Sequence, residues 1–475
     1  MGATLNGVLA RTLVALAVLT VAVTLASAPH AARSPGPAYV APNGSGALFL
    51  FRGHGYGHGV GMGQWGAQGY ALHGYSYEQI LAAYYPGTTL GQTTETTIRV
   101  LLASGRKTLT ISSTKSISVE DGNGVEHTLP AGETTLTPGL KLAVDGGPKV
   151  ALTAPLTFSP AAGTTLTLGR PYRGRILVDT PGKRLRAIDV LPLEQYLYGV
   201  VPAEMPSTWL SAALDAQAVA ARSYALADRK AAAPFDVYAD GRSQAYLGVS
   251  AETTAGRQAV DETAGQVLLY GDGVATTLFS SSTGGWTQSA ADAFGSPGRP
   301  YLVSVRDPYD KISPYHDWGP VPVTGKALSA ALRVPGRIVD TTVVHNSSRR
   351  VKTLQLTALL RGSTHPASAS GTAAASALAL RSDWFGVGVL SLQPPAPNPP
   401  VAAGTPVALS GVVRGVGGVV VQKSTDGTAW RRLRAVAPGP FRLTVKPKVT
   451  TSYRLATPED AAAPVQIRVE AATVR

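Results

Sequence analysis

The sequence predicts an α+β protein: a mixed domain with an inserted β-rich region, followed by a C-terminal all-β module that reads as an Ig-like sandwich. Three observations carry this. From Gly53 to Gly69 nearly every second residue is glycine, with His54, Tyr56, His58, Gln64 and Trp65 between them. From about Thr97 to Val190 come short segments dense in Thr, Val, Leu and Ile, broken by turn signals. At Ser211 to Asp228 a helical pattern returns, with Leu214, Ala218, Ala221 and Ala225 on one face.

Taken in chain order, residues 1–28 carry Arg11, an apolar run from Thr12 to Leu25 and the small-residue site Ala26-Ser-Ala28, the pattern of a signal peptide. The run is about 14 residues, short of the roughly 20 that span a bilayer. A secreted, cell-wall-associated protein is expected, with a membrane partner only if the segment stays uncleaved. Residues 29–46 read as a Pro, Ala and Gly-rich linker, and 47–392 as the mixed domain. Within it the glycine segment excludes a packed helix and lets a ligand approach the main chain. A flexible linker is the alternative, but paired His, Gln and Trp favour an ordered loop. Ser76 caps a helix that ends at Pro86-Gly87. In the 97–190 β-rich subregion, Asp121-Gly-Asn-Gly124 and Asp145-Gly-Gly-Pro148 mark turns. Residues 393–402 form a stiff Pro-rich linker, and 403–475 a small β-sandwich module.

The chain has 475 residues, 44% of them hydrophobic, which is enough for real cores. It has no cysteine, which excludes disulfides and thiolate metal sites. A net charge of +13 on an exported chain suits an anionic wall polymer, and serves solubility equally well. No nucleic-acid motif is present, so nucleic acid is not an expected partner.

Glu204 stands among Pro202, Met205, Pro206 and Trp209, just before the Ser211 helix. Apolar company resists ionisation of a carboxyl, which suits a general acid. A solvated loop carboxylate or a helix cap remains the alternative from spacing alone.

Val201-Pro-Ala-Glu-Met-Pro-Ser207, Ala216-Gln-Ala-Val-Ala-Ala-Arg-Ser-Tyr-Ala225, Phe279-Ser-Ser-Ser-Thr-Gly-Gly-Trp-Thr287 and Gly57-His-Gly-Val-Gly-Met-Gly-Gln-Trp-Gly-Ala67 together resemble the SpoIID/LytB family of stage II sporulation protein D domains, over roughly 47–392. The resemblance implies a SpoIID-like fold and peptidoglycan glycan strands as partner. It implies lytic transglycosylase activity between N-acetylmuramic acid and N-acetylglucosamine, with Glu204 as acid/base. Alternatively, it implies a non-catalytic enhancer of an amidase partner, or a wall scaffold. Gln217, Arg222 and Tyr224 are expected to orient Glu204 or the substrate, Ser281, Ser282 and Thr283 to line a cleft, and His54, His58, Gln64 and Trp65 to bind sugar. Arg222 reads equally as a buried structural arginine, and Trp65 as core. Asp261, Glu262 and Asp292 are available as a second carboxylate, with nothing to choose between them.

Two departures from the family pattern matter. The glycine motif, which closes typical members, here precedes the β region, as in a circular permutation. Several members carry a Cys…His-Cys zinc cluster, but the aligned positions here are Tyr238, Arg242 and Ser243, which are no zinc set. No metal or cofactor is expected.

Overall fold

The computed structural model describes residues 46–470 apart from Glu95, Ala231, Ser296, Pro297 and Ala396. The signal segment and nearly all of the 29–46 linker lie outside the described residues. The described chain divides into two compact units that alternate in sequence: 96–206 with 228–257, and 46–94 with 207–227 and 258–470. The class is α+β, with strands predominating. Among the described residues no helix is long and apolar enough to cross a membrane.

The first unit is built on a seven-stranded sheet in the order Val237–Tyr238, Thr97–Arg106, Leu185–Pro192, Arg175–Asp179, Leu156–Ser159, Ile117–Glu120, Glu126–Leu129. Alternation within the strands buries Ile98, Val100, Ile176 and Val178 on one face. The predicted turn at Asp121 closes as its chemistry requires, with Asp121 Oδ1 accepting the N–H groups of Asn123 and Val125. Strand Leu185–Pro192 runs straight into helix Leu193–Glu204. Glu204, read from sequence only as lying just before the Ser211 helix, is therefore the last residue of a helix of its own. Pro202 lies late in that helix, and Met205 still donates to the carbonyl of Val201 behind it.

The second unit centres on strand Ala47–His54, in a five-stranded antiparallel sheet ordered Asp317–Thr324, Ala47–His54, Phe385–Gln393, Val407–Arg414, Gly439–Val445. The apolar run Ala47-Leu-Phe-Leu-Phe51 is buried on both faces, as a central strand demands. Leu48 and Leu50 point into one core with Leu390, Leu392, Leu409 and Leu443. Phe49 and Phe51 point into another with Trp318, Leu354, Phe385 and Val389. The first core is closed by a four-stranded sheet of Arg431–Ala435, Val420–Ser424, Thr451–Ala456 and Val465–Ile467.

The Pro-rich stretch therefore does not set the C-terminal strands apart. Strand Val407–Arg414 pairs with Phe385–Gln393 across it, and their side chains share one core. Proline content reports local stiffness and is blind to whether the flanking strands hydrogen-bond to each other.

The glycine segment holds a second correction, because Gln64–Leu72 is a helix. The glycines that argued against one are there for approach. A Cβ on Gly66 would lie 2.0 Å from the Tyr84 hydroxyl and 2.3 Å from a carboxylate oxygen of Asp307. The roughly 1 kcal/mol penalty of a helical glycine is offset by that close packing. Helix Ser211–Ala227 is buried around nearly its whole circumference, from Ala213 to Ser223, and not on one face alone.

Candidate functional site

Glu204 is placed by three neighbouring residues of one loop in the first unit. Its half-buried carboxylate accepts the backbone N–H of Ala245 at 2.5 Å. On one side of Ala245, Gln244 accepts the Tyr196 hydroxyl at 3.1 Å, from the same helix as Glu204. On the other, the Tyr246 ring packs on Tyr196 with centroids 5.0 Å apart, and its hydroxyl donates to Asp189 at 2.8 Å. Arg173 pins the following turn through a bidentate pair with Glu252 at 2.6 and 2.7 Å. A carboxyl oriented by a main-chain donor, on an element clamped this way, is equipped to give and take a proton in a set direction. Asp189 was missed by sequence reasoning. It is fully buried, and burial pushes its carboxyl up to about 7. The available signal was an acidic residue between Ile188 and Val190 on an alternating apolar strand.

The residues expected to bind sugar, line a cleft or orient Glu204 all belong to the second unit. The glycine segment is stitched to a stretch more than two hundred residues later: Met62–Gly63 pairs in parallel with Phe279–Ser280, Tyr56 bridges Ser282, and Val60 bridges Gln288. Gly59 has φ +66°, and a Cβ there would sit 1.9 Å from a guanidinium nitrogen of buried Arg350, so glycine is required. His58 accepts the Val60 N–H on Nδ1 at 2.9 Å, which leaves the proton on Nε2, directed to the Phe279 carbonyl. Burial, then the charge of Arg350, push it down to about 4, so it is neutral near pH 7. Both ring nitrogens are thus spent inside the loop. His54 instead pairs with Asp317 at 2.6 Å and packs on Trp384, both exposed enough to meet solvent.

Gln64 and Gln217 meet directly, Nε2 to Oε1 at 3.3 Å and buried. Trp65 stands edge-on to Trp209 at 4.7 Å. Arg222 is fully buried, and its guanidinium donates to the carbonyls of Gln266 and Val260 at 3.1 and 3.2 Å, tying the Ser211 helix to the 260–266 turn. Tyr224 is half-buried on the same helix.

Ser282 and Thr283, expected to line a cleft, are fully buried and point inward. Ser282 donates to Asp310 at 2.9 Å and Thr283 to Asp307 at 2.8 Å, while Asp310 also accepts the Thr283 and Gly284 N–H groups and faces His316 Nδ1 at 2.8 Å. Ser281 alone of the three is half-exposed, and its carbonyl accepts the Trp65 N–H. Burial and the neighbouring Asp310 push the Asp307 carboxyl up to about 7. These carboxylates were not read from sequence, because Arg306-Asp-Pro-Tyr-Asp-Lys-Ile-Ser-Pro-Tyr-His316 looks like a polar surface loop. Its density of Asp, Tyr and His was the available signal. Asp292 is spent on Ser347 and Ser348 at 2.6 Å each.

At the positions aligned with a zinc cluster, the Arg242 guanidinium lies 3.9 Å over the Tyr238 ring and pairs with Asp240, while the Ser243 hydroxyl accepts the Tyr238 N–H. A fixed cation there does not fit a divalent metal.

Residues 181–270, which include Glu204, match the family model described as SpoIID, stage II sporulation protein. The chain is similar to an uncharacterized protein of Brachyspira hyodysenteriae, at 37% identity over 32% of this chain and 41% of that one. It is similar to stage II sporulation protein D of Bacillus subtilis, at 36% over 27% of this chain and 42% of that one. It is similar to an amidase enhancer of the same organism, at 39% over 24% of this chain and 15% of that one. The chain thus spans less than half the length of these curated relatives. No solved structure matches. The segment that holds Glu204 is thus similar to the SpoIID stage II sporulation proteins and to an amidase enhancer.

Proposed function

We propose that this chain remodels peptidoglycan outside the cell by cutting its glycan strands as a lytic transglycosylase. The observation that carries this reading is Glu204, inside the family-matched segment, with its carboxylate fixed by the Ala245 N–H. In the proposed reaction Glu204 protonates the glycosidic oxygen as charge builds on the muramic anomeric carbon. The resulting carboxylate takes the proton of the sugar's own C6 hydroxyl, which closes onto C1 as a 1,6-anhydro ring. The nucleophile belongs to the substrate, so no second carboxylate is needed. His54 and Trp65, each near solvent, are proposed sugar contacts. Gln64, Gln217, Arg222, Tyr224 and His58 are proposed to hold the framework around them, and the C-terminal strands to form an Ig-like sandwich that attaches to wall polymer.

Mass spectrometry of peptidoglycan incubated with the chain tests this. Anhydromuramic ends support a transglycosylase, and reducing ends a hydrolase. The name of the amidase-enhancer relative favours one further reading, a non-catalytic protein that binds wall glycan and stimulates an amidase partner. Unchanged glycan, with faster peptide release when an amidase is added, supports that reading.

A further inference from the structure

In the second unit an arginine is held ready for an anion at a place that none of the roles above uses. Arg381 is exposed, and its guanidinium carbon lies 4.5 Å from the centroid of Tyr315 and 5.7 Å from that of Tyr56. The two rings stand edge to face, 5.0 Å apart. The three residues come from distant parts of the chain, joined by main-chain bonds: the Gly57 N–H donates to the Arg381 carbonyl and the Gly55 N–H to that of Tyr315, both at 2.9 Å. The adjoining Ser382 hydroxyl donates to the His54 carbonyl at 2.6 Å.

Tertiary structure thus places the guanidinium against an aromatic wall, within range of cation–π attraction. Asp383, two residues after Arg381, is already committed to Arg350 at 3.3 Å, and Asp317, two residues after Tyr315, to His54 at 2.6 Å. Among the described residues Arg381 forms no ion pair. A planar guanidinium fork matches a carboxylate through two parallel N–H bonds.

We propose that Arg381, on its Tyr56–Tyr315 wall, is a binding site for a saccharide bearing a free carboxylate. The choice of a saccharide rests on the wall-glycan reading above; the anion site rests on this geometry.

The test is calorimetric titration of the full chain with a soluble N-acetylmuramic acid oligosaccharide and with the same oligosaccharide after its carboxyl is amidated. The wild type should bind the acid form about tenfold or more tightly, the scale of one charge-assisted bidentate contact. Arg381→Gln, at an exposed position, should weaken the acid form to the level of the amide and leave the amide unchanged. Tyr315→Ala should lose most of the same preference while Tyr315→Phe keeps it. Equal binding of both forms by the wild type, or a preference that survives Arg381→Gln, overturns the proposal. Competition by inorganic phosphate as effective as the acid oligosaccharide overturns the saccharide assignment. Glycan cleavage by a chain that binds both forms equally would sink this site and leave the transglycosylase reading standing, whereas acid-selective binding without cleavage would do the reverse.

Discussion

Gln64 donates to Gln217 at 3.3 Å in the buried interior of the second unit, although 153 residues separate them. Each lies in a different motif that resembles the SpoIID/LytB family, so the early glycine motif is folded onto the later helix within one unit. Continuity of the fold here follows contact and not chain order.

Replacing Glu204 by Gln should lower glycan cleavage by about 10²–10⁴-fold, the usual weight of a general acid. The glutamine carbonyl still accepts the Ala245 N–H, so the thermal unfolding midpoint should stay at the parent value. Anhydromuramic product at the parent rate would remove Glu204 from the chemistry.

Asp310 collects Ser282, Thr283, Gly284 and His316. Asp310→Ala leaves the Ser282, Thr283 and Gly284 donors buried without that acceptor, takes the partner of half-buried His316, and should destabilise the second unit by about 3–5 kcal/mol. Urea unfolding measures this, and a loss under about 1 kcal/mol would contradict the buried network.

Asp307 carries a pH signature of defined sign. Its folded carboxyl is pushed up to about 7 by burial and by Asp310, above the value of about 4 in an unfolded chain. Between those values the folded state holds the proton that the unfolded state releases. The contribution is full below about pH 4 and is lost as pH rises through about 7. Asp307→Asn cannot titrate, so the stability of the wild type relative to it should fall by a few kcal/mol from pH 4 to pH 8. A flat difference across that range would show that Asp307 titrates normally.

Removing residues 403–475 should harm the second unit. The deletion takes away strand Val407–Arg414 and opens Leu48, Leu50, Leu390 and Leu392 to water. Binding of a hydrophobic dye and a lowered unfolding midpoint are expected. A truncated chain as stable as the parent would restore the Pro-rich stretch as a boundary.

Whatever depends on local chemistry could be read from the residues in order. Strand alternation from Ile98 onward, the Asp121 turn, the Ser76 cap of helix Tyr77–Tyr84 and the family resemblance around Glu204 were all legible, because each rests on residues close together in the chain. Which groups turn inward is set by partners brought from far along the chain. Ser282 and Thr283 look like any exposed polar pair until Asp310 and Asp307 arrive from the next loop. Gly66 looks like a helix breaker until Tyr84 needs its space. The proline run looks like a spacer until the strands on either side of it pair. Burial and long-range pairing are properties of the partner as much as of the residue, and the partner's position is written nowhere in the local sequence.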